Sequence, residues 1–295
     1  MSASASARTV TSRPRSRRRG TRSPTRHRYA WAGGLAAWAI ALLFVAPIIW
    51  MVLTSLHSES NAATNPPSIG AGLTLSGYKN FFDSDPWPYL VNSLSAAVFS
   101  TLIVLLLAFP AAYALTIKPV KKWRDVMFFF LSTKFLPQVA AVLPIFLIAR
   151  DLGLLDHVLA LIIVYAAMNL PVAIWMMRSF LAEIPREVVE AAELDGAGLR
   201  TILLKILLPL TAPGLAAVSL ICFIFSWNEL LFARVITATV AETAPVFLTG
   251  FITSEGLFLS KLCAAAVIIS LPVLIAGFAA QDKLVQGLSF GAVKG

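Results

Sequence analysis

Few residues in this chain of 295 could do chemistry, and their spacing excludes most of it. The two cysteines, Cys222 and Cys263, fall inside long apolar runs without metal-ligand spacing or a disulfide framework. They read as small apolar packing residues. No Gly-rich loop ending in Gly-Lys-Ser or Gly-Lys-Thr is visible, so the chain has no evident cradle for the phosphates of ATP. What remains is a sparse polar set in apolar sequence: Lys134, Asn169, Trp175, Trp227 and Asn228. Amides that hydrogen-bond hydroxyls and aromatic faces that cover C–H surfaces are the groups that hold a sugar. Trp also collects at membrane interfaces through amphipathicity alone, so a structural reading stands beside the binding one. Lys134 lies ten residues past Arg124, which is about 15 Å along a helix and near mid-bilayer. A charge at that depth defaults to a cavity or a partner surface. Snorkelling toward the cytoplasm is the competing reading.

The elements that must position these groups follow from composition. The chain is 58% hydrophobic and 13% charged, where a soluble domain carries about 25% charged residues. The excess is concentrated in runs of about twenty residues, the length that crosses a hydrocarbon core. Six spans are predicted, near residues 30–56, 89–117, 126–149, 157–177, 207–228 and 262–281. Backbone in lipid must satisfy its own hydrogen bonds, and the runs are too long and too uniformly apolar for barrel strands. The expected fold is therefore an all-α integral membrane protein with six transmembrane helices. The first run is too long for the apolar core of a signal peptide and reads as an uncleaved span.

The net charge of +9 comes from one place. Residues 1–28 hold nine Arg and no acid, and the rest of the chain has 15 basic and 15 acidic residues. The expected domains are a disordered basic tail over residues 1–29 and a six-helix domain over residues 30–295. The tail reads as a cytoplasmic segment that helps set topology, with a nucleic-acid role as the alternative. With both termini in the cytoplasm, 19 Lys and Arg lie inside and four outside, with Lys134 left in the membrane.

One cytoplasmic connection stands out. Within residues 178–209, Pro185 suits a first helical position, good helix formers run to Leu194, and Asp195-Gly196 marks a stop. Leu199, Ile202, Leu203, Ile206 and Leu207 then form one apolar stripe before Pro209. This reads as a helix–turn–helix, with small Ala191 and Ala192 where a partner could approach closely. For Glu190, the structural reading is an i,i+4 pair with Arg186, worth a few tenths of a kcal/mol.

Glu190-Ala191-Ala192, followed by Gly196 and by Ile206, Leu208 and Pro209, resembles the EAA signature of permease subunits of binding-protein-dependent ABC importers. Phe225-Ser226-Trp227-Asn228-Glu229 is similar to the segment ending span five in the sugar-permease branch, and the last nine residues are similar to that branch's C-terminus. Ser132-Thr133-Lys134, with Leu136-Pro137, looks most like polyol permeases. The resemblance implies a multi-pass plasma (inner) membrane protein that is not an enzyme and holds no cofactor. ATP and Mg would act on two separate ATPase subunits. A second homologous permease, membrane lipid and an extracytoplasmic solute-binding protein would complete the partners, with a sugar or polyol as substrate and no nucleic acid. It makes the EAA segment, including Asp195, the coupling helix. It also sends the outer loop over residues 238–257, with Phe247, Thr249, Gly250 and Phe251, toward the binding protein. Other readings are an ion-coupled secondary transporter, a membrane scaffold, and an ABC permease for peptides or amino acids. The first is opposed by the absence of Asp and Glu from the six spans.

Overall fold

The computed structural model describes residues 30–64, 70–118, 120–253 and 256–292. The basic tail expected over residues 1–29 lies outside them. Helix α1 (Ala30–Ser55) is apolar and continues through Pro47. Its residues up to Ile49 form a unit of their own, and from Trp50 onward the chain packs as a second unit.

In that second unit, two short helices, α2 (Glu59–Ala62) and α3 (Ser76–Phe82), precede α4 (Trp87–Thr116). Then come α5 (Trp123–Ser132), α6 (Gln138–Asp151) and α7 (Val158–Leu181). After α7 follow α8 (Arg186–Leu194), α9 (Leu199–Thr201), a π-helical turn (Ile202–Leu207) and α10 (Leu208–Leu210). Helix α11 (Ala212–Trp227) leads to the short α12 (Leu231–Ile236) and α13 (Ala244–Thr249). A small antiparallel hairpin of β1 (Ile252–Thr253) and β2 (Gly256–Leu257), with Ile252 opposite Leu257, precedes α14 (Leu259–Ala292). Apart from this hairpin, the described elements are helical.

Among the described residues, four helices are long and apolar enough to cross a membrane: Gly33–Ser55, Trp87–Thr116, Val158–Leu181 and Leu259–Asp282. The pair Leu199–Leu210 and Ala212–Trp227, bent by 81° at Thr211, makes a fifth if it is counted as one broken span. The expected third span departs from a single continuous helix. It breaks between Ser132 and Gln138, with Pro137 extended at φ −58°, ψ 124°. A proline disfavours helical backbone in the residue before it and cannot donate the next helical hydrogen bond. Lys134 sits in that break.

Helices α4 and α7 share the most extensive packing in the chain, and α11 packs on both. Val104, Ala108 and Ala112 of α4 follow one helical face into a core with Ala173, Ile174 and Met177 of α7 and Val218 and Cys222 of α11. Small residues matter here because lipid tails are as apolar as leucine. Helix association in a bilayer therefore rests on close van der Waals packing and interhelical hydrogen bonds. Both occur: Asn169 Nδ2 of α7 donates to Ser226 Oγ of α11 at 2.9 Å, and the Ser226 hydroxyl lies 3.0 Å from that of Ser100 on α4.

Candidate coupling segment, solute cavity and outer loop

The inner segment turns on one glycine. Gly196 has φ +79°, a conformation that costs most other residues about 1–2 kcal/mol. The Gly196 N–H donates to Glu193 O at 3.0 Å and the Ala197 N–H to Ala192 O at 2.9 Å. These two bonds define a Schellman ending for α8, which satisfies carbonyls that the helix would otherwise leave open. Val189 and Ala192 are buried against the bundle, while Glu190, Ala191 and Asp195 are exposed. Glu190 forms no ion pair among the described residues, so the anticipated pairing with Arg186 is not made. Leu194, just before the turn, is 89% exposed. The helix is tied to the end of α4 by Lys118, whose ammonium lies 2.7 Å from Glu193 and is raised above its ordinary pKa by that hydrogen bond and charge.

Past the turn, Ile202 and Leu207 are buried, and Ile206 and Leu208 half-buried. Leu199, expected on the same stripe, is exposed in the α-helical turn that precedes the π-helical one. Pro209 is exposed just before the bend. At the bend, Thr211 Oγ1 donates to Leu207 O at 2.8 Å. Three residues later, Gly214 lets the Phe180 ring of α7 lie directly on α11: a Cβ there would stand 2.3 Å from Phe180 Cγ.

Between the break before α6, the middle of α7 and the end of α11 lies a cavity of about 440 Å³ lined by Lys134, Gln138, Met168, Asn169, Ile224, Phe225, Asn228, Glu229, Leu230 and Leu231. Three of the five residues singled out from sequence meet here: Lys134, Asn169 and Asn228. The break before α6 supplies Lys134, α7 supplies Asn169, and the end of α11 supplies Asn228. Trp227 instead is buried, donates from Nε1 to Ile269 O at 3.1 Å and stacks on Phe223. Trp175 is about half exposed and does not line the cavity. Lys134 has no ion-pair partner among the described residues. Glu229 has its carboxylate turned to the start of α12, accepting from the N–H groups of Phe232 at 3.0 Å and Ala233 at 3.1 Å.

A second, apolar groove of about 370 Å³ runs among α4, α11 and α14, past Leu102, Leu105, Phe223 and Ala276. It offers little that could orient a polar solute.

On the opposite side of the cavity from α8, four of the residues expected to meet a binding protein lie at the end of α13. Phe247 stacks on Tyr89 with ring centroids 4.2 Å apart and packs near Phe81. Phe251 is buried beside Phe247, with Lys261 Nζ 4.6 Å from its ring centre. Both rings thus face inward, whereas Gly250 is exposed and Thr249 half-buried. Among the described residues of this loop, the most exposed apolar side chain is Val240, at 74%.

Sequence reasoning missed the residue that organises the loop. Asp156, at φ +59°, turns its carboxylate toward four successive N–H groups. Ala238, Thr239, Val240 and Ala241 donate to it at 3.0–3.2 Å, and the Thr239 hydroxyl donates at 2.9 Å. Burial pushes the Asp156 carboxyl up, but these backbone donors outweigh it and hold the group well below the usual carboxylate range. Asn92 of α4 completes the loop by donating to Val240 O at 2.8 Å and Glu242 O at 3.0 Å. Ser93 accepts from the Ala244 N–H at 2.8 Å. The only sequence signal was an acid after Gly153-Leu154-Leu155, and nothing local tied it to a loop over eighty residues away.

Residues 98–290 match the family described as binding-protein-dependent transport system inner membrane component. A probable ABC transporter permease protein of Sinorhizobium fredii is 37% identical across 87% of the chain and 93% of that protein. The trehalose transport system permease protein of Mycobacterium tuberculosis is 34% identical, across 84% and 92% respectively. In a crystal structure of a bacterial ABC transporter that imports the acidic polysaccharide alginate, one chain superposes with a TM-score of 0.73 at 26% identity. The match covers 89% of this chain and 98% of that one.

Proposed function

The chain belongs to the family of binding-protein-dependent transport system inner membrane components, and on that premise we propose that it is the permease subunit of an ATP-driven importer for a sugar or sugar alcohol. The observation that carries the substrate class is the mid-membrane cavity. Its about 440 Å³ and its mixture of amides, one ammonium and the Phe225 ring fit a small polyhydroxylated solute, whose hydroxyls need many hydrogen-bond partners and whose C–H faces need apolar contact. The related permeases named for trehalose transport and the alginate importer support the same class.

The membrane domain has six spans in this reading, the broken pair α5–α6 supplying the third. Broken helices are tolerated in a membrane where they line a polar cavity, and this break delivers Lys134 to one. The chain works beside a second, homologous permease and over two ATPase subunits that hold ATP and Mg. Both termini, the basic tail and α8 lie in the cytoplasm. Helix α8 is the coupling helix: Val189 and Ala192 hold it to the bundle, and Glu190 and Ala191 face the ATPase. ATP binding closes the ATPase pair. The α8 turn moves with it, and the bend at Thr211 carries the motion into α11, whose end lines the cavity. The cavity then opens outward to accept solute from the binding protein.

The test is reconstitution of the complex in proteoliposomes, with labelled trehalose, maltose, sorbitol and mannitol offered through candidate binding proteins. ATP-dependent uptake of one of these is the expected result. Uptake driven by a proton or sodium gradient without the ATPase would overturn the proposal.

A further inference from the structure

Helix α12 is held at its start by the Glu229 carboxylate and at its end by the backbone of Asp156. At its start, Glu229 accepts from the N–H groups of Phe232 and Ala233, and Glu229, Leu230 and Leu231 line the solute cavity. At its end, the Ile236 carbonyl accepts from the Asp156 N–H at 2.9 Å, while the Asp156 side chain gathers the next four amides of the loop. Six residues of helix span about 9 Å. A short rigid strut therefore joins the cavity to an exposed outer loop whose tip is Val240.

The loop's shape is determined almost entirely from outside it. Residues 238–241 donate to Asp156, and the carbonyls of Val240 and Glu242 accept from Asn92. Four consecutive N–H groups converging on one point form a concavity that needs an anion at its centre. Without that anion the amides repel one another electrostatically, and the loop has no reason to hold this conformation. Asp156 also adopts a left-handed backbone, a conformation that aspartate tolerates better than most residues.

We propose that Asp156 is a positioning residue: it clamps the loop over residues 237–243 in the one shape that meets the solute-binding protein, with Val240 as the apolar contact at the tip. This rests on the importer reading above and extends it by naming the surface and what holds it. The partner is a protein with a shallow apolar depression, because the loop tip offers an aliphatic side chain between small residues and no free charge. A clamp of this kind sets how much of the protein is competent to bind, so its loss acts on apparent affinity and leaves the bound complex able to turn over.

The test uses the assembled complex in nanodiscs and the binding protein that stimulates the wild-type ATPase. In Asp156→Asn, the side chain keeps its size but offers one acceptor and a mismatched donor. The concentration of binding protein giving half-maximal stimulation should rise about tenfold or more, with the maximal stimulated rate within about twofold of wild type. Hydrogen exchange at residues 238–241 should be slow in the wild type and fast in the variant. Val240→Lys leaves the clamp intact and should raise the half-stimulating concentration as well, so it decides the matter even where Asp156→Asn fails to assemble. Unchanged half-stimulating concentration in either variant, or fast exchange at these amides in the wild type, overturns the proposal. Failure of the importer reading shows separately, as a wild-type complex that no binding protein stimulates.

Discussion

Replacing Gly214 by alanine tests whether the inner segment and α7 move as one piece. The added methyl would lie 2.3, 2.5 and 2.8 Å from three carbons of the Phe180 ring, where carbon atoms in contact sit at about 3.5–4.0 Å. An overlap above about 1 Å cannot be absorbed without moving the ring or the helix. Phe180 is half-buried against the main core and has little room to turn. Overpacking of this size costs about 1–3 kcal/mol. The expected outcome is an SDS-titrated unfolding curve shifted to lower detergent, and ATP hydrolysis that no longer yields proportionate uptake in proteoliposomes. Phe180→Leu in the same chain should recover part of both, because the flatter contact surface is what the methyl displaces. In a double-mutant cycle the pair should show a coupling of about 0.5–3 kcal/mol, as residues in direct contact do. The reasoning is refuted if Gly214→Ala unfolds and transports like the wild type, or if Phe180→Leu gives no recovery.

Glu190→Lys and Gly196→Pro should each separate ATP hydrolysis from uptake, the first by reversing an exposed, unpaired charge on α8 and the second by removing the N–H that closes the Schellman turn; uptake assays on the reconstituted complex check both. Phe247→Ala should cost about 1–3 kcal/mol of stability, since the half-buried ring packs on Tyr89 and Phe81, and thermal unfolding of the purified complex reads it. Asn169→Leu should weaken solute uptake by removing a cavity amide and should cost about 0.6 kcal/mol for the lost interhelical bond to Ser226; labelled-sugar uptake against concentration separates the two. Protection of the outer loop should hold as the medium is acidified through the ordinary carboxylate range. The Asp156 carboxyl is depressed, so its contribution is complete above the unfolded value of 3.8 and is lost progressively as pH falls from there through the lower folded value. Hydrogen exchange at residues 238–241 at successive pH values checks this.

Much of the architecture was legible because lipid imposes a one-dimensional code. A run of apolar residues long enough to cross hydrocarbon announces itself without any knowledge of its neighbours, and α1, α4, α7 and α14 lie where those runs predicted them. The helix–turn–helix after α7 was equally local, since a capped helix, a left-handed glycine and a proline are written in consecutive residues. The break in the third span was half-written: Pro137 was visible, but whether its neighbours would bend or continue depended on what surrounded them. The side-chain assignments needed the tertiary structure. Asn169 and Trp227 looked alike as sugar-binding residue types, yet one lines the cavity and the other is buried against the Ile269 carbonyl. Phe247 and Phe251 looked like an outer contact surface and are packed inward. Asp156 gave almost no signal, because its partners are amides more than eighty residues away and every residue but proline carries the same backbone N–H. Helix length and turn chemistry are properties of neighbouring residues, so the sequence by itself determined them. Which polar group meets which across the bundle depends on the rotation and tilt of whole helices, and only packing decides that.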